Sequence, residues 1–157
     1  MLPKRDLELT RIPIDDLDQV LEIERLCFSQ PWTLDNFLAE FERPYAVILG
    51  LYQDRRLTAQ CFSWLLPPEG YLLSLAVRPD LQGRGLARRL LESWLTLCRR
   101  ADVVSMRLEA SAVNVPALRL YRSLGFRRTG LRRRYYADGT DAVLMTLDLE
   151  PGPPARP

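Results

Sequence analysis

Over residues 14–28, Leu17, Val20, Leu21, Cys27 and Phe28 recur at helical spacing, with Asp15, Asp16 and Asp18 near the start. Acidic side chains there suit the positive end of a helix dipole, so the pattern predicts a helix. Ser29, Gln30 and Pro31 break it, and Thr33 then stands as N-cap to a short helix with Leu34, Phe37, Leu38 and Phe41 on one face. Pro44 ends that helix. Residues 45–52 and 57–66 are rich in strand formers and joined by Gln53-Asp54-Arg55-Arg56, which predicts a hairpin. Pro67-Pro68-Glu69-Gly70 is a second turn before a strand over residues 71–77, giving an antiparallel meander.

Beyond Pro79-Asp80 lies a glycine loop, then a long helix to about Arg100 whose stripe is Leu86, Leu90, Leu91, Trp94, Leu95, Leu97 and Cys98. Residues 103–109 predict a strand, and residues 114–124 a helix with Asn114 as N-cap and Gly125 where a C-terminal glycine belongs. Residues 126–136 and 143–149 predict a final long hairpin turning at Ala137-Asp138-Gly139-Thr140. The order α-α-β-β-β-α-β-α-β-β is that of an α/β fold around a mixed sheet. A single domain over residues 1–149 is expected, with a disordered proline-rich tail over residues 150–157.

Composition narrows the chemistry. A chain of 157 residues that is 47% hydrophobic has material for one well-buried core. Its 22 basic and 20 acidic residues nearly balance, which argues against a dedicated nucleic-acid binder. The absence of histidine removes Ser-His-Asp and Cys-His schemes and most catalytic metal sites. Cys27, Cys61 and Cys98 are widely spaced and form no CxxC pair, so neither a disulfide framework nor a zinc knuckle is expected. No metal is expected. Neither a secretory h-region nor an apolar run of membrane-spanning length is present, so the expected compartment is the cytoplasm, without membrane contact.

Gln82-Gly83-Arg84-Gly85-Leu86-Ala87 joins a strand to a helix. Amides at a helix start suit phosphate oxygens, glycine lets the backbone approach an anion, and Arg84 and Arg88 add charge. A P-loop is excluded because no lysine follows the glycines. A dinucleotide fingerprint fits poorly, with Arg88 at the third position and a meander in place of a βαβ unit. A solvated loop capping a helix remains open on the loop alone.

Gln82-x-x-Gly85-x-Ala87 after Leu75-Ala76-Val77 resembles the Q/RxxGxG/A motif of the GNAT family of acetyl-CoA-dependent N-acetyltransferases. Leu108-Glu109 through Asn114, followed by Ala117 and Leu120-Tyr121-x-x-x-Gly125-Phe126, is similar to the LExxxxN…A…LYxxxGF stretch of that family. Arg132-Arg133-Arg134-Tyr135-Tyr136, with Phe28, Pro31 and Trp32, resembles the branch that acetylates ribosomal-protein alanines. The resemblance runs from about residue 8 to residue 149 and implies a GNAT-like mixed central sheet of about six to seven strands flanked by about four helices.

The resemblance implies further expectations. Acetyl-CoA is the donor, with pantetheine against the main chain of Leu75, Ala76 and Val77. The diphosphate lies on Gly83, Arg84, Gly85, Leu86, Ala87 and Arg88, and Asn114 also touches the cofactor. Glu109 resembles the general base and Tyr121 the general acid that protonates the coenzyme thiolate. Trp32, Tyr135 and Tyr136 line a groove for the N-terminal peptide of a ribosomal or other protein, the alanine of a small-subunit ribosomal protein being the favoured acceptor. Each position also has a plainer role: Asn114 as cap, Glu109 as surface residue, Tyr121 and the aromatic residues as packing. Other acceptors stay open, namely another protein N-terminus, a lysine or a small amine, as does an acyl-CoA-binding module without turnover. The arginines at 127, 128 and 132–134 are either a solvated strand face or a steering surface towards ribosomal RNA or an acidic protein.

Overall fold

The structure is a computed structural model that describes residues 6–150. The expected tail lies outside the described residues apart from Glu150. Seven strands are described: β1 (Glu8–Arg11), β2 (Ala46–Gln53), β3 (Arg56–Leu66), β4 (Glu69–Val77), β5 (Ser105–Ser111), β6 (Arg127–Arg132) and β7 (Ala142–Asp148). The four α-helices are α1 (Leu17–Cys27), α2 (Leu34–Glu42), α3 (Leu86–Arg100) and α4 (Val115–Ser123). The strands hydrogen-bond in the order β1-β2-β3-β4-β5-β7-β6, with β4–β5 parallel and β1–β2, β2–β3, β5–β7 and β6–β7 antiparallel. This is the mixed sheet and helix complement expected from the sequence.

The chain forms two compact units. One runs up to Trp64 and includes Ser74–Thr96; the other is Leu65–Leu73 with the residues from Leu97 onward. In the first, the α1 stripe (Val20, Ile23), Phe37 of α2, and Leu90, Leu91 and Trp94 of α3 are fully buried, as are Leu51, Leu57 and Phe62 of the strands. Thr33 caps α2 with a reciprocal box: its hydroxyl accepts the Asn36 N–H, and the Asn36 side chain accepts the Thr33 N–H. Trp94 Nε1 donates to Ser63 Oγ at 2.8 Å, and Ser63 Oγ in turn donates to the Val47 carbonyl at 2.9 Å. Trp94→Phe removes that buried donor and should cost about 1–3 kcal/mol, read from urea unfolding.

In the second unit, Met106, Leu108 and Ala110 of β5 and Val143 and Met145 of β7 point to a buried face, with Leu118, Tyr121 and Phe126. Alternation turns Arg107 and Glu109 to the opposite, open face. A Cβ added at Gly70 would lie 2.6 Å from the Met106 methyl carbon, so a larger residue there would require the buried Met106 side chain to move.

Three expectations shift. β1 was not foreseen, because a four-residue edge strand exposed throughout carries no alternation of burial. β5 spans Ser105–Ser111 rather than residues 103–109, so Glu109 lies two residues inside its strand, opposite Leu144. β6 ends at Arg132, four residues short of the expected hairpin arm. Arg134 has φ +50 and its N–H is held by Asp141 Oδ1 at 2.8 Å, so the chain leaves the ladder before Tyr135 and Tyr136.

Candidate active site

In the first unit, Pro79–Leu81 forms a single 3-10 turn after β4, and Gln82 Nε2 reaches back to the Val77 carbonyl at 3.0 Å. Cys27 Sγ donates to the same carbonyl at 3.2 Å, so this oxygen is already engaged by the protein's own side chains. Gly83 and Gly85 have φ +75 and +80, a region L side chains rarely adopt, and a Cβ built on either meets nothing within 4 Å. The α3 ladder opens with Arg89 N–H on the Gly85 carbonyl at 3.0 Å, so the amides of Leu86 and Ala87 precede it at the positive end of the helix. Arg84 is exposed, while Arg88 pairs with Glu92 at 3.7 Å.

Trp32 is half-buried in the α1–α2 connection, its ring 5.3 Å from Phe37 and 6.1 Å from Phe62. The parallel ladder of β4 with β5 covers Glu69–Leu72 and Ser105–Leu108 and stops there, although β4 runs to Val77 and β5 to Ser111.

In the second unit, a cavity of about 650 Å³ opens on the outward face of the sheet, lined by Tyr71, Arg107, Glu109, Arg132, Leu144 and Thr146 among others. Glu109 Oε1 pairs with Arg132 Nη2 at 3.4 Å, its carboxylate accepts the Tyr135 hydroxyl, and the Arg132 guanidinium lies 5.4 Å from the Tyr135 ring centre. That hydrogen bond, then the carboxylate's charge, holds the Tyr135 phenol above its ordinary pKa. Burial first, and then Glu109's charge, does the same for Tyr136, whose ring meets Tyr135 edge-on at 5.2 Å. Both phenols therefore keep their protons near neutral pH and can donate.

Tyr121 is 7% exposed on α4, edge-on to Phe126 at 6.0 Å. Asn114 caps α4 through Oδ1, which accepts the Ala117 N–H at 3.3 Å, leaving its Nδ2 as the side-chain group able to donate elsewhere. The site residues named from the sequence thus divide: Trp32, Leu75–Val77 and the glycine loop belong to the first unit, and Glu109, Asn114, Tyr121, Tyr135 and Tyr136 to the second. The contact of Arg132 and Tyr135 with Glu109 was not legible in the sequence. Its one trace was the arginine run, read only as a charge cluster. Among the described residues no group of three or more His, Cys, Asp or Glu gathers as a metal site, and no helix is long and apolar enough to cross a membrane.

Residues 17–126 match the model of the Acetyltransferase (GNAT) family. The chain belongs to this family. It is 36% identical over 137 residues to the ribosomal protein bS18-alanine N-acetyltransferase of Salmonella typhimurium, covering 85% of this chain and 92% of the relative. It is 37% identical over 140 residues to the N-alpha-acetyltransferase RimI of Mycobacterium tuberculosis, covering 85% and 87%. The crystal structure of the ribosomal-protein-S18-alanine N-acetyltransferase from Escherichia coli superposes with a TM-score of 0.88 at 30% identity, over 95% of this chain and 97% of that one. This GNAT protein is accordingly an acetyl-CoA-dependent N-acetyltransferase, and its two open left-handed glycines ahead of α3 fit a diphosphate that must meet backbone amides without a Cβ between.

Proposed function

We propose that this acetyltransferase acts on a protein N-terminal amine, and that its acceptor is the N-terminal alanine of a small-subunit ribosomal protein. The observation that carries the reading is Glu109, whose carboxylate lines the 650 Å³ cavity on the open face, in a chain with alanine-acetylating relatives over most of its length. An α-amine titrates near ~8 and is roughly one-tenth neutral at pH 7, whereas a lysine amine near ~10.4 is neutral in well under ~0.1% of molecules. An N-terminal acceptor therefore asks little of its base.

Gly83, Gly85 and the amides of Leu86 and Ala87 hold the diphosphate, with Arg84 adding charge and Arg88 contributing from the first turn. Leu75 and Ala76 offer their main chain to the pantetheine, and the amide of Asn114 donates to the cofactor. Bound there, acetyl-CoA would supply a thioester whose carbonyl carbon the amine attacks, so that the amide C–N bond forms as the C–S bond to the coenzyme breaks. Where the β4–β5 pairing ends, after Leu72 and Leu108, one thioester would meet both faces of the sheet: Glu109 takes the amine proton on the open face, directly or through a water, and the Tyr121 hydroxyl gives a proton to the departing sulfur from the other. Tyr135 and Tyr136 orient the acceptor by hydrogen bonds, and Trp32 packs against it.

A peptide panel tests the reading. Free alanine-starting peptides should release coenzyme thiol at least about tenfold faster than the same peptides with a blocked amine. Equal rates from blocked, lysine-containing peptides would overturn it.

A further inference from the structure

Position 24 falls on the buried face of α1 beside Val20 and Ile23, where the helical pattern calls for an apolar residue, yet it is a glutamate only 2% exposed. Burying a carboxyl is unfavourable unless both oxygens find partners. Here only one does: Oε1 accepts the Trp32 N–H at 3.0 Å, and Oε2 has no partner among the described residues. The backbone carbonyl of the same residue accepts the Phe28 N–H at 3.0 Å. Glu24 thus closes the α1–α2 connection at both ends, through its carbonyl at Phe28 and its side chain at Trp32.

What the side chain secures is the backbone of Trp32. This ring rests on Phe37 and Phe62 and borders a hollow of about 270 Å³ shared with Asp35, Asn36, Ala39, Glu40 and Arg43. On the far side, the connection is fixed by the Thr33–Asn36 capping box. Between Phe28 and Thr33, the Trp32 amide is tied to the fold by Glu24. A half-satisfied buried carboxyl is a poor way to stabilise a core and a good way to fix one amide.

We propose that Glu24 is a positioning residue that sets Trp32 in place to receive the acceptor peptide, an inference that rests on the N-terminal acetyltransferase reading. Burial holds its carboxyl above the ordinary pKa, against the opposing pull of the Trp32 N–H. Glutamine keeps a side-chain oxygen at the same reach to accept the Trp32 N–H; alanine keeps none.

The experiment compares the wild type, Glu24→Gln, Glu24→Ala and Trp32→Ala, using an alanine-starting peptide and acetyl-CoA, with amide hydrogen exchange followed at Trp32. Glu24→Ala should raise the peptide KM about tenfold while leaving kcat and the acetyl-CoA KM within about twofold, and Glu24→Gln should restore wild-type behaviour. Trp32→Ala should raise the peptide KM equally. Protection of the Trp32 amide should fall about tenfold or more in Glu24→Ala and persist in Glu24→Gln. An unchanged peptide KM, a loss confined to kcat, or Trp32 protection indifferent to residue 24 overturns the proposal. Should Glu24→Ala fail to fold, a wild-type peptide KM in Trp32→Ala, or rapid exchange of the Trp32 amide in the wild type, overturns it instead. A wild type that acetylates no N-terminal amine refutes the functional reading, and the exchange data then decide separately whether Glu24 holds Trp32.

Discussion

Glu109→Gln should lower kcat by roughly 10²- to 10⁴-fold, the range that a positioned general base contributes, with the dissociation constant for CoA unchanged. The substitution keeps shape and one carbonyl oxygen but cannot accept the amine proton. Stability should hardly move. The Arg132 pair that it weakens is 3.4 Å long, with side chains 53% and 32% exposed, and partly solvated pairs of this kind contribute less than about 1 kcal/mol. Tyr121→Phe should lower kcat by about 10- to 10³-fold if Tyr121 is the proposed proton donor to the departing sulfur, while the ring keeps its contact with Phe126. Combined, the two should cost less than the product of the single losses, because both serve one transfer. Turnover close to wild type in both variants refutes the assignment. The measurement is thiol release under saturating acetyl-CoA, with calorimetry on CoA as the binding control.

Most of the fold was legible because its burial follows the periods of its elements. The α3 stripe repeats at 3.6 residues, and Leu90, Leu91 and Trp94 are fully buried as it requires. Thr33 and Asn114 announce their helices by side chains that accept the orphan amides three residues on. Where the sequence was silent, the cause is local. Arg134 takes a positive φ that arginine does not advertise, so the β6 arm looked longer than it is. The β6–β7 register shifts between Arg128 and Gly130, and this shift, together with the early end of β6, hid that Arg132 and Tyr135 meet Glu109. Glu24 is hidden for the opposite reason: a charged residue in a helical pattern is ordinarily on the solvent side, and this one is not. Both departures lie beside residues assigned to the acceptor.

Gly85→Ala should weaken CoA binding by about tenfold to a hundredfold, and the comparison with Gly139→Ala separates the reason from simple strain. Gly85 and Gly139 have nearly the same backbone, φ +80 and +84, and a Cβ at either meets nothing within 4 Å. Each alanine therefore carries a similar left-handed penalty, about 1–2 kcal/mol, and should lower the unfolding free energy by a similar amount. The two differ in their place in the chain. Gly85 immediately precedes α3, whose first amides are proposed to meet the diphosphate, whereas Gly139 belongs to the β6–β7 connection and is outside the proposed cofactor set. Calorimetry with CoA should accordingly show a weakened Gly85→Ala and a wild-type Gly139→Ala at matched stability. Equal weakening would make the loss a consequence of strain alone. Unimpaired binding in Gly85→Ala would remove the glycine loop from the proposed cofactor site.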